Sequence, residues 1–157
     1  DQAVDQIQKL EELKKRARRA GVDNLEARII DSSKTIKRLE NTADRLLLDV
    51  PCSGLGVLRR NPDAKWKLSP AFIDEVVRLQ QHILDDYESM LKPGGLMVYS
   101  TCSILPSENQ HQVRAFLERQ NGKFELLNER HCWPSEGFDG FYMALMRKNG
   151  KTPKPIE

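Results

Sequence analysis

Arg45-Leu-Leu-Leu-Asp49-Val-Pro51-Cys52-Ser-Gly-Leu-Gly56 opens as a short apolar run flanked by charge and stops at Pro51. Such a run reads as a strand buried on both faces, the usual state of strands in parallel sheets. Downstream, Ser69-Pro70 opens a helix with proline at its tolerated first position. Phe72, Val76, Leu79, Ile83, Tyr87 and Met90 carry its apolar face to a Lys92-Pro-Gly-Gly95 turn. Leu96–Thr101 is the next strand, and Ser107 with Gln110 is expected to cap a helix whose Val113, Phe116 and Leu117 face inward. Two late strands follow at Phe124–Leu127 and Phe141–Met146, and Lys148–Glu157 reads as a polar tail. Upstream, residues 32–44 hold a short helix, and Leu25–Ile30 alternates like a strand ending at Asp31. Ile7, Leu10, Leu13, Ala17 and Ala20 make the buried stripe of a first helix over residues 6–20, with Asp5 and Gln8 as a capping box and Gly21 as its stop. Strand and helix alternate, so the expected class is α/β: a mostly parallel sheet with helices on both faces.

Composition bounds what such a fold can do. The chain has 157 residues, 39% of them hydrophobic and 31% charged, which suits one folded domain and excludes a disordered or membrane-spanning chain. No apolar run approaches the roughly 20 residues a membrane span requires. A net charge of +2 argues neither for nor against nucleic acid. Three cysteines make a disulfide framework unexpected and a reducing compartment such as the cytoplasm the default.

In sheets of this class chemistry gathers beyond the carboxyl ends of the strands. That rule selects Asp31, Asp49-Val-Pro-Cys-Ser53 and Thr101-Cys-Ser103, placing two thiols at the ends of two expected strands. Both cysteines could equally be small buried hydrophobes, the common state of free cysteine. A redox pair is disfavoured because the two lie far apart in sequence without a Cys-x-x-Cys spacing. No pair has zinc-ligand spacing, and His82, His111 and His131 show no ligand-like grouping, so no metal is expected.

Leu48-Asp-Val-Pro-Cys-Ser-Gly-Leu-Gly56, Arg59-Arg-Asn-Pro-Asp-Ala-Lys-Trp66, Lys92-Pro-Gly-Gly95, Tyr99-Ser-Thr-Cys-Ser103 and Glu108-Asn109, in this order, resemble the RNA (cytosine-5)-methyltransferases. That family includes the bacterial Sun/Fmu ribosomal RNA enzymes and their nucleolar relatives. Phe138-Asp-Gly-Phe-Tyr142 resembles its closing motif, and the match spans Asp5 to about Arg147. The resemblance implies a Rossmann-like S-adenosylmethionine-dependent fold, residues 1–147 being part of the catalytic domain. It implies methylation of carbon 5 of a cytosine in RNA, with small-subunit ribosomal RNA as the expected partner and neither membrane nor metal. By resemblance Cys102 is the covalent nucleophile, Cys52 assists product release, and Asp49 faces the cytosine edge and the cofactor.

The chemistry explains why such an enzyme wants two thiols. A thiolate adding to carbon 6 of cytosine makes carbon 5 nucleophilic enough to take a methyl group, after which the thiol must be expelled. On the cofactor side, Asp5 matches the acid that reads the ribose hydroxyls, and Asp31 the acidic position beside adenine. Asp5 is equally read as a helix cap. Asp1–Asp5 reads as the tail of a second strand, so a first strand, Gly-rich loop and helix are expected before it, and this chain alone is expected to bind S-adenosylmethionine poorly. For RNA, Pro51, Arg59, Arg60, Lys65 and Trp66 follow the strand end directly and are the expected substrate contacts. Lys9, Lys14, Lys15, Arg16, Arg18 and Arg19 on the first helix fit an ordinary solvated face. The competing readings are methylation of another nucleic acid and a catalytically silent RNA-binding fragment.

Overall fold

The computed structural model describes residues 2–30 and 32–150, with side chains from residue 7 onward except that of Lys67. It divides into two units, the first ending at Thr35 and the second starting at Ile36.

The first unit is built on α1 (Gln2–Arg19). Arg16, Arg18 and Arg19 occupy its last turn, where positive charge meets the carbonyl end of the helix dipole. Gly21, at φ 68°, stops it. Its amide donates to the Arg18 carbonyl and that of Val22 to the Ala17 carbonyl, the two bonds of a Schellman cap. Lys14 bridges Glu11, and Arg16 and Arg19 both reach Glu12, so these cations are partly neutralised within the helix. Because α1 already runs from Gln2, Asp5 is neither the end of a strand nor a helix cap; its backbone lies inside the helix. Leu25–Ile30, expected as a strand, is irregular. Alternation supplies a buried face but not a ladder of hydrogen bonds, and among the described residues no strand pairs with this segment. A short helix, α2 (Ser33–Arg38), follows.

The second unit carries a four-stranded sheet, ordered β1 (Ala43–Asp49), β2 (Leu91–Thr101), β4 (Phe141–Lys148), β3 (Phe124–Cys132). β1 and β2 are parallel, whereas β4 is antiparallel to both its neighbours. The sheet is therefore mixed rather than mostly parallel: β1, β2 and β3 share a direction, and β4 runs back between them. The connection from Cys132 to Phe141 is too short for a parallel crossover, which needs about a dozen residues or more. β1 and β2 are joined instead by the long segment holding α3 (Ala64–Lys67) and α4 (Pro70–Tyr87). Ser69 caps α4, its hydroxyl accepting from the Phe72 amide at 3.2 Å. The Lys92-Pro-Gly-Gly95 turn is absorbed into β2 as a bulge: Ala43 pairs with Leu91, but Arg45 already pairs with Leu96.

The core lies on one face of this sheet. Leu48, Met97, Tyr99, Tyr142, Ala144 and Met146 pack there against Leu84 of α4 and against Val113 and Phe116 of α5 (Gln110–Gln120). α4 and α5 cover that face. Leu47, on the opposite side of β1, is 69% exposed, which corrects the reading of that strand as buried on both faces. α5 begins at Gln110, with Asn109 at its N-cap, so Ser107 is not the cap. β4 runs to Lys148, which is buried and donates to the Glu88 and Leu91 carbonyls, one residue into the segment read as tail. Among the described residues no helix is long and apolar enough to cross a membrane.

Candidate functional site

The parallel pair β1–β2 sets the site. Asp49 lies opposite Ser100, and the Val50 amide donates to the Ser100 carbonyl, so the two chains leave the sheet side by side. Cys52 follows on one and Cys102 on the other, and their Sγ atoms lie 3.1 Å apart. The topology brings together two thiols fifty residues apart in sequence, a separation that disfavoured only a redox pair.

This contact divides one proton unequally. The bond from Cys52 lowers the Cys102 thiol from its ordinary 9.0 to about 7, against burial and the negative charges of Asp49 and Glu108. The same bond, with burial, pushes the Cys52 thiol strongly up. Either sulfur can donate in this contact; with Cys52 donating, Cys102 is the sulfur that holds negative charge, the state a nucleophilic thiol needs.

The loop carrying Cys52 is held by contacts that leave no room. The Gly56 amide donates to the Cys102 carbonyl at 2.9 Å, and the Gly140 amide donates to the Gly56 carbonyl at 2.7 Å. A Cβ on Gly56 would lie 1.9 Å from the Gly140 oxygen and 2.7 Å from the Cys102 oxygen, both backbone atoms that cannot swing aside. Gly56→Ala should therefore cost at least about 2–3 kcal/mol of stability, read as a lower urea midpoint, because overpacking here displaces three backbone segments. An unchanged midpoint would show that the loop is not clamped.

Behind the thiols lies a buried polar cluster that strand-end reasoning missed. Glu108 and Asn109 are both fully buried. The Glu108 carboxylate accepts from the Ser53 amide at 2.7 Å, the Ser53 hydroxyl at 2.6 Å, Gln80 Nε2 at 3.1 Å and the Ser103 hydroxyl. Four donors fill the four acceptor positions a carboxylate offers. Asn109 Nδ2 donates to the Ser103 carbonyl, and its Oδ1 accepts from the Thr101 hydroxyl. Glu108-Asn109 had a signal as a motif but no role. Gln80 had a subtler one, an amide on the apolar stripe between Val76 and Leu84.

The other expected residues are distributed as follows. Asp49 is exposed at the tip of β1, with Ser100 Oγ 3.4 Å from its Oδ1. Pro51 is exposed, and its carbonyl accepts from Gln80 Nε2 at 2.9 Å. Arg60 is paired with Asp139, so it stands tied to the loop before β4 rather than free to meet a substrate. Arg59 is exposed; Lys65 lies over the Trp66 ring at 4.7 Å, and that ring is 78% exposed on α3. The Asp5 side chain and Asp31 lie outside the described residues. Cys132 ends β3 opposite Phe141, and its neighbour His131 stacks on Trp133 at 5.3 Å. Among the described residues, no group of three His, Cys, Asp or Glu could hold a metal ion.

The sequence matches the 16S rRNA methyltransferase RsmB/F family over residues 2–147. Ribosomal RNA small subunit methyltransferase B of Yersinia enterocolitica is 45% identical over 112 residues, which are 67% of this chain and 26% of that protein. The chain thus spans about a quarter of the length of the curated relatives it matches. The crystal structure of PH0851 superposes with a TM-score of 0.83 at 31% identity, over 88% of this chain and 34% of that one. That of NSun6 from Pyrococcus horikoshii with SFG gives a TM-score of 0.73 at 22% identity, over 90% and 39%, a likeness of fold.

Proposed function

Since this chain belongs to the 16S rRNA methyltransferase RsmB/F family, we propose that its paired thiols methylate carbon 5 of a cytosine in small-subunit ribosomal RNA. The observation that carries this reading is the 3.1 Å contact between Cys52 and Cys102 where the parallel strands β1 and β2 end, a contact that lowers the Cys102 thiol. Cys102 adds to carbon 6 of an unstacked cytosine, which places electron density on carbon 5. Asp49, exposed at the carboxyl edge of β1, hydrogen-bonds the cytosine edge as charge develops on the ring. After methyl transfer a solvent base takes the carbon 5 proton, the freed electron pair re-forms the double bond between carbons 5 and 6, and the bond from carbon 6 to sulfur breaks with its electron pair returning to Cys102. The proton on Cys52, directed at Cys102 Sγ, then stabilises the departing thiolate, which is how Cys52 assists release.

S-adenosylmethionine supplies an electrophilic methyl group when bound. The site fits it at Asp49, a carboxylate beyond the strand ends where such folds bind their ligands. One structural neighbour was solved with SFG, an analogue of that cofactor. Arg59, Lys65 and Trp66 offer charge and an exposed ring to phosphate and base, and Arg60 would join them on release from Asp139. Free thiols at the site suit a reducing compartment such as the cytoplasm.

The test is transfer of labelled methyl from S-adenosylmethionine to 16S rRNA by a full-length enzyme built on this domain, with 5-methylcytosine identified in the product. Because the active form is the thiolate, kcat/KM should be low in acid, rise through pH about 7 and then level off. Methyl found on another atom, or a rate indifferent to pH across that range, would refute this assignment. RNA binding without turnover would favour a binding role instead.

A further inference from the structure

Glu108 makes no contact with the thiols, yet every donor it receives comes from the segments that carry or support them. Ser53 follows Cys52 directly and Ser103 follows Cys102 directly, and both bond to the same carboxylate. Gln80, its remaining donor, also holds the Pro51 carbonyl, so the Cys52 loop is gripped on both sides of its thiol. Asn109 does the same for Cys102 through Thr101 and Ser103. The Tyr99 hydroxyl donates to the Glu108 carbonyl at 2.7 Å and fixes the pair's own backbone to β2.

A carboxylate is a costly way to fill a core. Desolvating it offsets much of what its hydrogen bonds return, and an apolar side chain of the same size would often stabilise a fold equally well. What four charge-assisted bonds supply is a fixed distance between the groups that make them. We propose that Glu108 is a positioning residue: it joins the two cysteine loops through Ser53 and Ser103 and thereby sets the separation of Cys52 and Cys102. A thiol pair at 3.1 Å has little slack, because an outward drift of about 1 Å breaks its bond. This inference builds on the thiol pair as the reactive centre, but its test requires no methyl transfer, so either can fail without the other.

The ruler is the reactivity of Cys102 itself. In the 157-residue chain, alkylation of Cys102 by iodoacetamide, followed by peptide mass spectrometry, should be half-maximal near pH 7. Glu108→Gln keeps the size of the side chain but turns one acceptor into a donor, so the clamp cannot hold all four partners. The midpoint should then move up toward 9.0, the ordinary value of this thiol. Loss of charge alone predicts the opposite, because the negative charge of Glu108 opposes the Cys102 thiolate and its removal should lower the midpoint. The direction of the shift therefore separates positioning from electrostatics, and a merely structural role would change the melting temperature without moving it.

Equilibration with oxidised and reduced glutathione gives a second reading of the same distance. The fraction of chain joined as a Cys52–Cys102 disulfide should fall by about tenfold or more in Glu108→Gln, as expected when two thiols lose a fixed alignment. Ser103→Ala removes a single donor and should shift the midpoint upward by less. An unchanged or lowered midpoint with an unchanged disulfide equilibrium in folded Glu108→Gln overturns the proposal. If Glu108→Gln does not fold, Ser103→Ala decides: an upward shift supports the proposal, and an unmoved midpoint overturns it.

Discussion

Replacing Cys102 with serine is expected to abolish methyl transfer and covalent adduct formation together, with a loss of at least about a thousandfold. The size follows from the chemistry of the thiol pair. The contact with Cys52 lowers the Cys102 thiol and so favours its thiolate. A serine hydroxyl in its place keeps its proton and offers carbon 6 a poor nucleophile. Stability should change little, since Cys102 is only partly buried and serine still accepts the Cys52 bond. A folded Cys102→Ser enzyme that still methylates cytosine and still forms an adduct would remove Cys102 from the mechanism.

Replacing Cys52 with alanine has an opposite signature. Without the donor, the thiolate on Cys102 loses its main stabilisation, so the pH at which the first addition proceeds should rise above about 7. Once formed, however, the bond from carbon 6 to sulfur has no proton aimed at the leaving sulfur. The enzyme should then accumulate a protein–RNA species that survives denaturing electrophoresis, while turnover falls by about 100-fold or more, the usual scale of a lost acid or base. Normal turnover without such a band would show that Cys52 plays no part in release. The two variants together distinguish a relay of two thiols from a single reactive cysteine, because only the relay makes one loss silent and the other visible as an adduct.

The strand ends were the most legible part of this molecule. Arg45–Pro51 and Leu96–Thr101 announce strands through apolar runs, and the carboxyl-edge rule applied to those runs selects Cys52 and Cys102. Strand direction was harder to read. β4 runs antiparallel because the connection before it is short, a constraint of chain length rather than of side-chain pattern. Leu25–Ile30 failed for a related reason: alternation describes one face of a strand but says nothing about a partner for its backbone.

The thiol contact itself was illegible, since spacing in sequence measures contour length and the sheet replaces that length by adjacency. The polar cluster left only faint signs. Gln80 interrupts an apolar stripe and Glu108-Asn109 follows the Cys102 loop, but neither pattern states that a carboxylate buried behind two cysteines receives a donor from each of their loops. Ser53 and Ser103, one residue beyond each thiol, are the symmetrical sign that was there to be read.

The most direct test of the central claim is to find which cysteine carries the cytosine. RNA in which the target cytosine bears fluorine at carbon 5 cannot release that substituent as a proton, so the covalent species is trapped after methyl transfer. Digestion and mass spectrometry of the trapped complex, formed by a full-length enzyme built on this domain with S-adenosylmethionine, should place the modified nucleotide on the peptide containing Cys102. A nucleotide on Cys52 or Cys132, or no covalent species under conditions that give methylated product from normal RNA, would contradict the account.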